Sequence, residues 1–191
     1  MSNVKNVVLC GVGGQGTILA SKILSYALIE AGYDVKMSEI HGMSQRGGSV
    51  TTQVRYGDKV YSPIIGKGSA DVLVAFEKME ALRYLDDVKV DGVVIINDHA
   101  IQSLPTLQGM AAYPEDCIDR VKEKNADTRV IKATKIAGEL GNEKAANVVL
   151  LGATVKALGL EALNWDAALA ACVKPATLEM NKKAFEAGMG A

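Results

Sequence analysis

Cysteine, histidine and bulky aromatics are scarce in this chain, and neither sign of charge prevails. The three cysteines, at positions 10, 117 and 172, form no C-x-x-C pair. Neither a zinc site nor an iron–sulfur cluster can therefore be ligated locally, and any redox centre has to belong to another chain. Each cysteine reads as a small packing residue; Cys10 alone stays open, because it stands at a strand end beside a glycine turn. With 21 basic against 22 acidic residues and 5% aromatics, the chain has no electrostatic footprint for nucleic acid. Although 49% of residues are hydrophobic, runs such as Val93 to Ile96 and Val148 to Leu151 fall far short of the roughly 20 residues of a membrane span. The opening Met-Ser-Asn-Val-Lys-Asn carries no apolar signal segment. A cytoplasmic protein with no membrane partner is predicted. A length of 191 residues predicts one core and one domain over 1–191.

What the chain does have is glycine in patterned places. Val4, Val7, Val8 and Leu9 form an apolar strand, Cys10-Gly11-Val12-Gly13-Gly14-Gln15-Gly16-Thr17 comes next, and Thr17 to Ala31 has helical periodicity. Strand, glycine turn and helix are the context in which G-x-G-x-x-G binds phosphate. Gly11 is expected to take the positive φ of the turn, Gly13 to let a ligand approach the backbone, and Gly16 to let helix pack on strand. The free N–H groups and partial positive charge of the helix start then face an anion. The alternative is a turn that only packs helix on strand. Glu39 lies 23 residues after Gly16, at the end of a second strand from Asp34 to Ser38. That is near the place of a ribose-binding acid, about 20 residues on.

The next segment departs from a dinucleotide-binding pattern. His41-Gly42-Met43-Ser44-Gln45-Arg46-Gly47-Gly48-Ser49-Val50 stands where a crossover helix belongs. Its hydroxyl, amide, guanidinium and imidazole groups suit recognition of a phosphate or carboxylate. Loops at the carboxyl ends of strands form the binding crevice of an open α/β sheet. His41 reads as a loop cap or a proton shuttle, and Glu39 as a ribose acceptor or a loop anchor.

Beyond this loop, Ser49 to Tyr56 and Lys59 to Tyr61, separated by Gly57-Asp58, predict a β-hairpin inserted after the second strand. Ala70 to Phe76 and Gly92 to Asn97 read as strands buried on both faces, with a helix from about Glu77 to Leu85 between them. A helix near Glu115 to Lys124 precedes a shorter strand, Arg129 to Lys132. From Thr134 on the pattern is helical, at 143–158, 165–173 and 175–188. The stretch from Asn147 to Ala153 is apolar on nearly every side, so its helix is central in the core or buried against a partner. The fold predicted is α/β: a Rossmann-like, doubly wound, mostly parallel sheet with an inserted hairpin and a helical C-terminal third.

Gly11 to Gly16 together with the run from Ser38 to Val50 resembles the gamma-type domain of the 2-oxoacid:ferredoxin oxidoreductases. The resemblance covers essentially the whole chain, including Asn97 at a strand end and Asn147 in the helical tail, and its specific part is Met43-Ser-Gln-Arg-Gly-Gly48. It implies a complex in which a larger subunit holds thiamine diphosphate, Mg and the 4Fe-4S clusters. Ferredoxin takes the electrons and coenzyme A is the co-substrate that accepts the acyl group, while the gamma-type domain binds no cofactor tightly. Carried onto this sequence, Gly11, Gly13, Gly14, Gln15 and Gly16 become candidates for a turn facing the CoA diphosphate or the partner's thiamine site. Ser44, Gln45 and Arg46 become candidates for lining the shared cleft. No catalytic acid or base and no metal ligand is assigned.

Overall fold

The computed structural model describes residues 4–40 and 47–191, with backbone alone at 104 and 105. The elements run β1 (Lys5–Val12), α1 (Thr17–Glu30), β2 (Asp34–Ile40), β3 (Ser49–Gly57), β4 (Ala70–Ala75), α2 (Lys78–Arg83) and β5 (Val88–Asn97). They continue as α3 (Leu104–Leu107), α4 (Cys117–Lys124), β6 (Thr128–Ile131), α5 (Ala133–Glu139), α6 (Ala146–Leu158), α7 (Trp165–Cys172) and α8 (Leu178–Gly190).

The six strands lie in the order β2-β3-β1-β4-β5-β6. The β1, β4, β5 and β6 ladders are parallel, and β3 is antiparallel to both of its neighbours. Side chains alternate across a strand, and the two faces of the sheet collect two separate cores. Val7, Leu9, Val72, Val74 and Ile95 meet the apolar stripe of α1 (Ala20, Ile23, Leu24, Ala27, Leu28) and the buried helix α6. Val8, Cys10, Leu73, Ala75, Val94 and Ile96 meet Ala81 of α2 and Val121 of α4. This is the doubly wound arrangement predicted.

The hairpin is displaced from its predicted place. Residues 59–61 form no strand; the antiparallel pair is β2 with β3, Asp34 opposite Gly57 and Ile40 opposite Thr51. The reason is edge satisfaction: β3 is already paired along both edges, to β2 and to β1, so it has no free edge to offer a further strand. The 58–69 segment folds over the sheet instead. Arg55 donates to the carbonyls of Ser62 and Ile64, each at 3.0 Å, and the Val60 amide donates to the Asp34 carboxylate at 2.9 Å. Val60 and Ile65 are the segment's buried residues.

The apolar helix α6 takes its cover from this same chain, every residue from Asn147 to Val155 being buried. It lies against α8 with backbone nearly touching backbone: a Cβ on Gly152 would collide with the Phe185 carbonyl, and one on Gly188 with the Val149 carbonyl. Small residues at a helix crossing permit that approach, and any side chain there would overpack the core.

Candidate functional site

The turn between β1 and α1 keeps the predicted strand–glycine–helix order but divides its labour differently. Positive φ belongs to Gly14 (104°) and Gly16 (85°), whereas Gly11 sits inside β1. Gly11 is needed for space, since a Cβ there would stand 2.9 Å from both the Gln15 Oε1 and the Phe76 Cβ. Gly16 combines both constraints: its backbone is left-handed and a Cβ would run into the Asn147 side chain. Around Gly14, by contrast, a Cβ would meet nothing within 4 Å among the described residues.

Gln15, expected to face a ligand, is a clasp within the turn. Its Oε1 accepts from the Val12 amide at 2.7 Å, and its Nε2 donates to the Phe76 carbonyl at 2.8 Å. The same carbonyl accepts from Nδ2 of Asn97 at 3.2 Å, and that Nδ2 also donates to Thr134 Oγ1 at 2.9 Å. The Thr134 amide returns a bond to Asn97 Oδ1 at 3.3 Å. Carboxamides thereby tie together the carboxyl ends of β1, β4 and β5 and the start of α5.

Two clefts flank the turn. One, of about 290 Å³, lies between α1 and β3 and is walled by Thr17, Ile18, Val50, Thr51 and Thr52. The other, of about 380 Å³, lies on the β4–β5 side and is walled by Gly14, Phe76, Asn97, His99, Thr134, Lys144 and Asn147. The amino ends of two long helices, α1 and α6, border this second cleft; α1 has no side-chain cap, whereas α6 continues from a 3-10 turn at 143–145, where the Asn142 side chain accepts from the Lys144 amide and the Glu143 carbonyl from the Ala146 amide. The first N–H groups of α1 lack intrahelical partners and carry partial positive charge. Lys144 adds a cation and Glu143 a carboxylate to the same wall, so the donors an anion would meet there are those of the α1 start and Lys144. Thr134, His99 and Lys144 escaped sequence reasoning. Asn147 was visible as the single polar residue opening an apolar helix, and Asn97 as the polar end of an apolar strand.

Ser44, Gln45, Arg46 and His41 lie outside the described residues. Gly47 and Gly48 are anchored on the glycine turn: the Gly13 amide donates to the Gly48 carbonyl at 2.8 Å, and the Gly47 amide donates to the Gly13 carbonyl at 3.3 Å. The two glycine segments singled out in the sequence thus meet through their backbones. Glu39 stands elsewhere. It is opposite Thr52 of β3, which is opposite Leu9 of β1, so two strand spacings, roughly 9–10 Å, separate it from the strand that leads into the turn. A ribose-binding acid stands on a strand next to β1, and here β3 occupies that position.

The open question over Cys10 is settled by burial. It is fully buried, its thiol contacts the Glu80 carbonyl at 3.6 Å, and desolvation pushes its pKa well above the ordinary thiol range. Since the thiolate is the nucleophile, Cys10 is a packing residue. Burial raises Cys117 and Cys172 as well. Among the described residues no group of three or more His, Cys, Asp or Glu could hold a metal ion.

Comparison with known proteins agrees with this geometry. The family described as pyruvate ferredoxin/flavodoxin oxidoreductase matches residues 6–191. The indolepyruvate oxidoreductase subunit IorB of Pyrococcus horikoshii is 41% identical over 97% of this chain and 95% of its own length. Its counterpart in Thermococcus kodakarensis is 39% identical over the same shares. Among solved structures, the gamma subunit of a keto/oxoacid ferredoxin oxidoreductase from Geobacter sulfurreducens superposes with a TM-score of 0.75 at 27% identity, covering 98% of this chain and 95% of that one. A Rossmann-like sheet with an antiparallel strand set beside β1, a glycine turn tied to the loop after β2, and relatives alike over nearly their whole length lead to one conclusion: this chain belongs to the pyruvate ferredoxin/flavodoxin oxidoreductase family.

Proposed function

We propose that the chain, as one gamma-type domain over residues 1–191, is the small subunit of a cytoplasmic indolepyruvate-type oxidoreductase. The complex converts an aryl-2-oxoacid, CoA and oxidised ferredoxin to the arylacetyl-CoA, CO2 and reduced ferredoxin. The names of the relatives at 41% and 39% identity support the substrate class. One observation carries this chain's share of the work: the uncapped start of α1, with its glycine turn, borders the cleft that Lys144 also walls. Such a start offers backbone donors to a diphosphate, and among the described residues nothing stands within 4 Å of a Cβ on Gly14.

In this reading Gly14, Gln15 and Gly16 face the CoA diphosphate from the cleft wall with Gly13 beside them, while Gly11 and the Gln15 clasp hold the turn in shape. Ser44, Gln45 and Arg46 line the cleft shared with the larger subunit. That subunit holds thiamine diphosphate, Mg and the 4Fe-4S clusters, which supply the decarboxylation chemistry and the electron path to ferredoxin. The chain contributes no metal ligand and partners neither nucleic acid nor membrane.

The test is reconstitution. The isolated chain is expected to be inactive, and the large subunit to reach full turnover with indolepyruvate, in preference to pyruvate, 2-oxoglutarate or branched-chain 2-oxoacids, once this chain is added. Calorimetry should show CoA binding to the assembled complex that weakens when the chain is left out. Robust turnover by the chain alone, or equal CoA affinity without it, overturns the reading. Saturable NADH binding by the isolated chain would favour a plain dinucleotide-binding role instead.

A further inference from the structure

Residues 76–80 run from the end of β4 into the first turn of α2 and bond to both sides of the site. The first of them, Phe76, gives the carbonyl that both Gln15 and Asn97 clasp. Glu77 is fully buried; its Oε2 caps α2 by accepting from the Glu80 amide at 3.0 Å, and its Oε1 accepts from the Ile101 amide at 3.1 Å and from the Tyr113 hydroxyl. Ile101 and His99 wall the β4–β5 cleft, so Glu77 holds one wall.

Glu80, 2% exposed, reaches the other way. Its Oε2 accepts the hydroxyl of Ser49, which also lies 3.2 Å from the Tyr84 hydroxyl, and its Oε1 accepts from Arg83 Nε at 3.1 Å. Ser49 is the first residue of β3, paired with Val12, the last residue of β1. It directly follows Gly47 and Gly48, whose backbone groups bond to Gly13. A carboxylate withdrawn from water costs several kcal/mol unless it is fully hydrogen-bonded. Cys10 contacts the Glu80 carbonyl, and the core on this face of the sheet gathers apolar side chains such as Val8, Ala75 and Ala81. A residue serving only to pack α2 has no need of a charge aimed at the end of a glycine loop.

We propose that Glu80 is a positioning residue of the cleft: by holding the Ser49 hydroxyl it sets where Gly47 and Gly48 meet Gly13, and hence the shape of the turn offered to the acyl acceptor. The effect on the acceptor rests on the function proposed above; the effect on the turn does not. Ser49→Ala removes the donor without adding bulk, Ser49→Thr keeps it, and Glu80→Gln keeps an acceptor but faces Arg83 without charge.

The measurement is amide hydrogen exchange on the isolated chain, paired with steady-state kinetics of the reconstituted complex. In Ser49→Ala and Glu80→Gln, exchange at Gly13 and Gly47 is expected to accelerate about tenfold, the scale of one charge-assisted hydrogen bond. Val74 and Ile95, in the centre of the sheet, should stay as protected as before. In the complex the KM for CoA should rise several-fold with kcat within about twofold, and Ser49→Thr should restore both readouts. Unchanged exchange at Gly13, or equal acceleration at Val74 and Ile95, overturns the positioning role. Faster exchange confined to Gly13 and Gly47 with an unchanged KM upholds the positioning role and overturns the assignment of the cleft to CoA.

Discussion

The Asn147 side-chain amide donates to the Gly16 carbonyl across 3.3 Å, joining residues 131 apart in sequence. Helix α6 is thereby pinned to the start of α1, and the cleft between their amino ends acquires a floor. The same proximity forbids a side chain at Gly16, where the Asn147 amide group already occupies the place of a Cβ. Gly16→Ala should destabilise the fold by about 2–4 kcal/mol, from the left-handed backbone and the clash together. Adding Asn147→Ala should recover about 1 kcal/mol of that loss by removing the clash. Denaturant midpoints of the two single variants and the double variant close the cycle, and strict additivity would show that the contact carries no coupling.

Gln15 spans Val12 and Phe76 with both ends of its carboxamide. Gln15→Ala takes the side-chain acceptor from the Val12 amide and leaves the Phe76 carbonyl with Asn97 alone, and a loss of about 1–3 kcal/mol is expected by chemical denaturation. Gln15→Glu presents an oxygen where Phe76 needs a donor and should lose at least as much at neutral pH. A variant as stable as the parent would show that solvent replaces the clasp without cost.

Acid should loosen the β2–β3 end of the sheet through Asp34. Its bond to Lys36, with the Val60 amide and Lys59 nearby, lowers its pKa from 3.8 to about 2. A carboxylate depressed in the folded state contributes stability that is fully present above its unfolded value and is lost as pH falls through the folded one. The stability difference between the parent and Asp34→Asn should therefore be constant above about pH 5 and shrink between about pH 4 and 2. A difference that does not change with pH would place the effect in shape rather than charge.

Arg46 is the loop residue whose planar fork best suits a phosphate. If it holds one on CoA, Arg46→Ala raises the KM of the assembled complex for CoA by about ten- to a hundredfold, the equivalent of one charge-assisted contact of about 1.5–3 kcal/mol. An unchanged CoA dependence would remove Arg46 from the acceptor's path.

The central sheet was legible because its strands are short, nearly all-apolar runs such as 93–96, buried on both faces and bounded by turn residues. The C-terminal helices were equally plain from their period. The mistaken hairpin has a simple cause. A strand's partners are set by which edges are free, and nothing local in Ser49 to Tyr61 reveals that β3 is held between β2 and β1. The clasp that Gln15 makes was illegible for a related reason: its acceptor, the Phe76 carbonyl, lies 61 residues away.

By itself the sequence determined the glycine turn, the strand before it, the helix after it and the unusual loop beyond β2, because each is written in residues close together along the chain. Only the tertiary structure decided what surrounds them. It set β3 where a dinucleotide-binding fold places its second strand, brought α6 and α1 amino end to amino end, and put the carboxylates of Glu77 and Glu80 behind the walls of the cleft. Those relations depend on which edges and faces remain to be satisfied once the sheet has formed, and no local pattern encodes them.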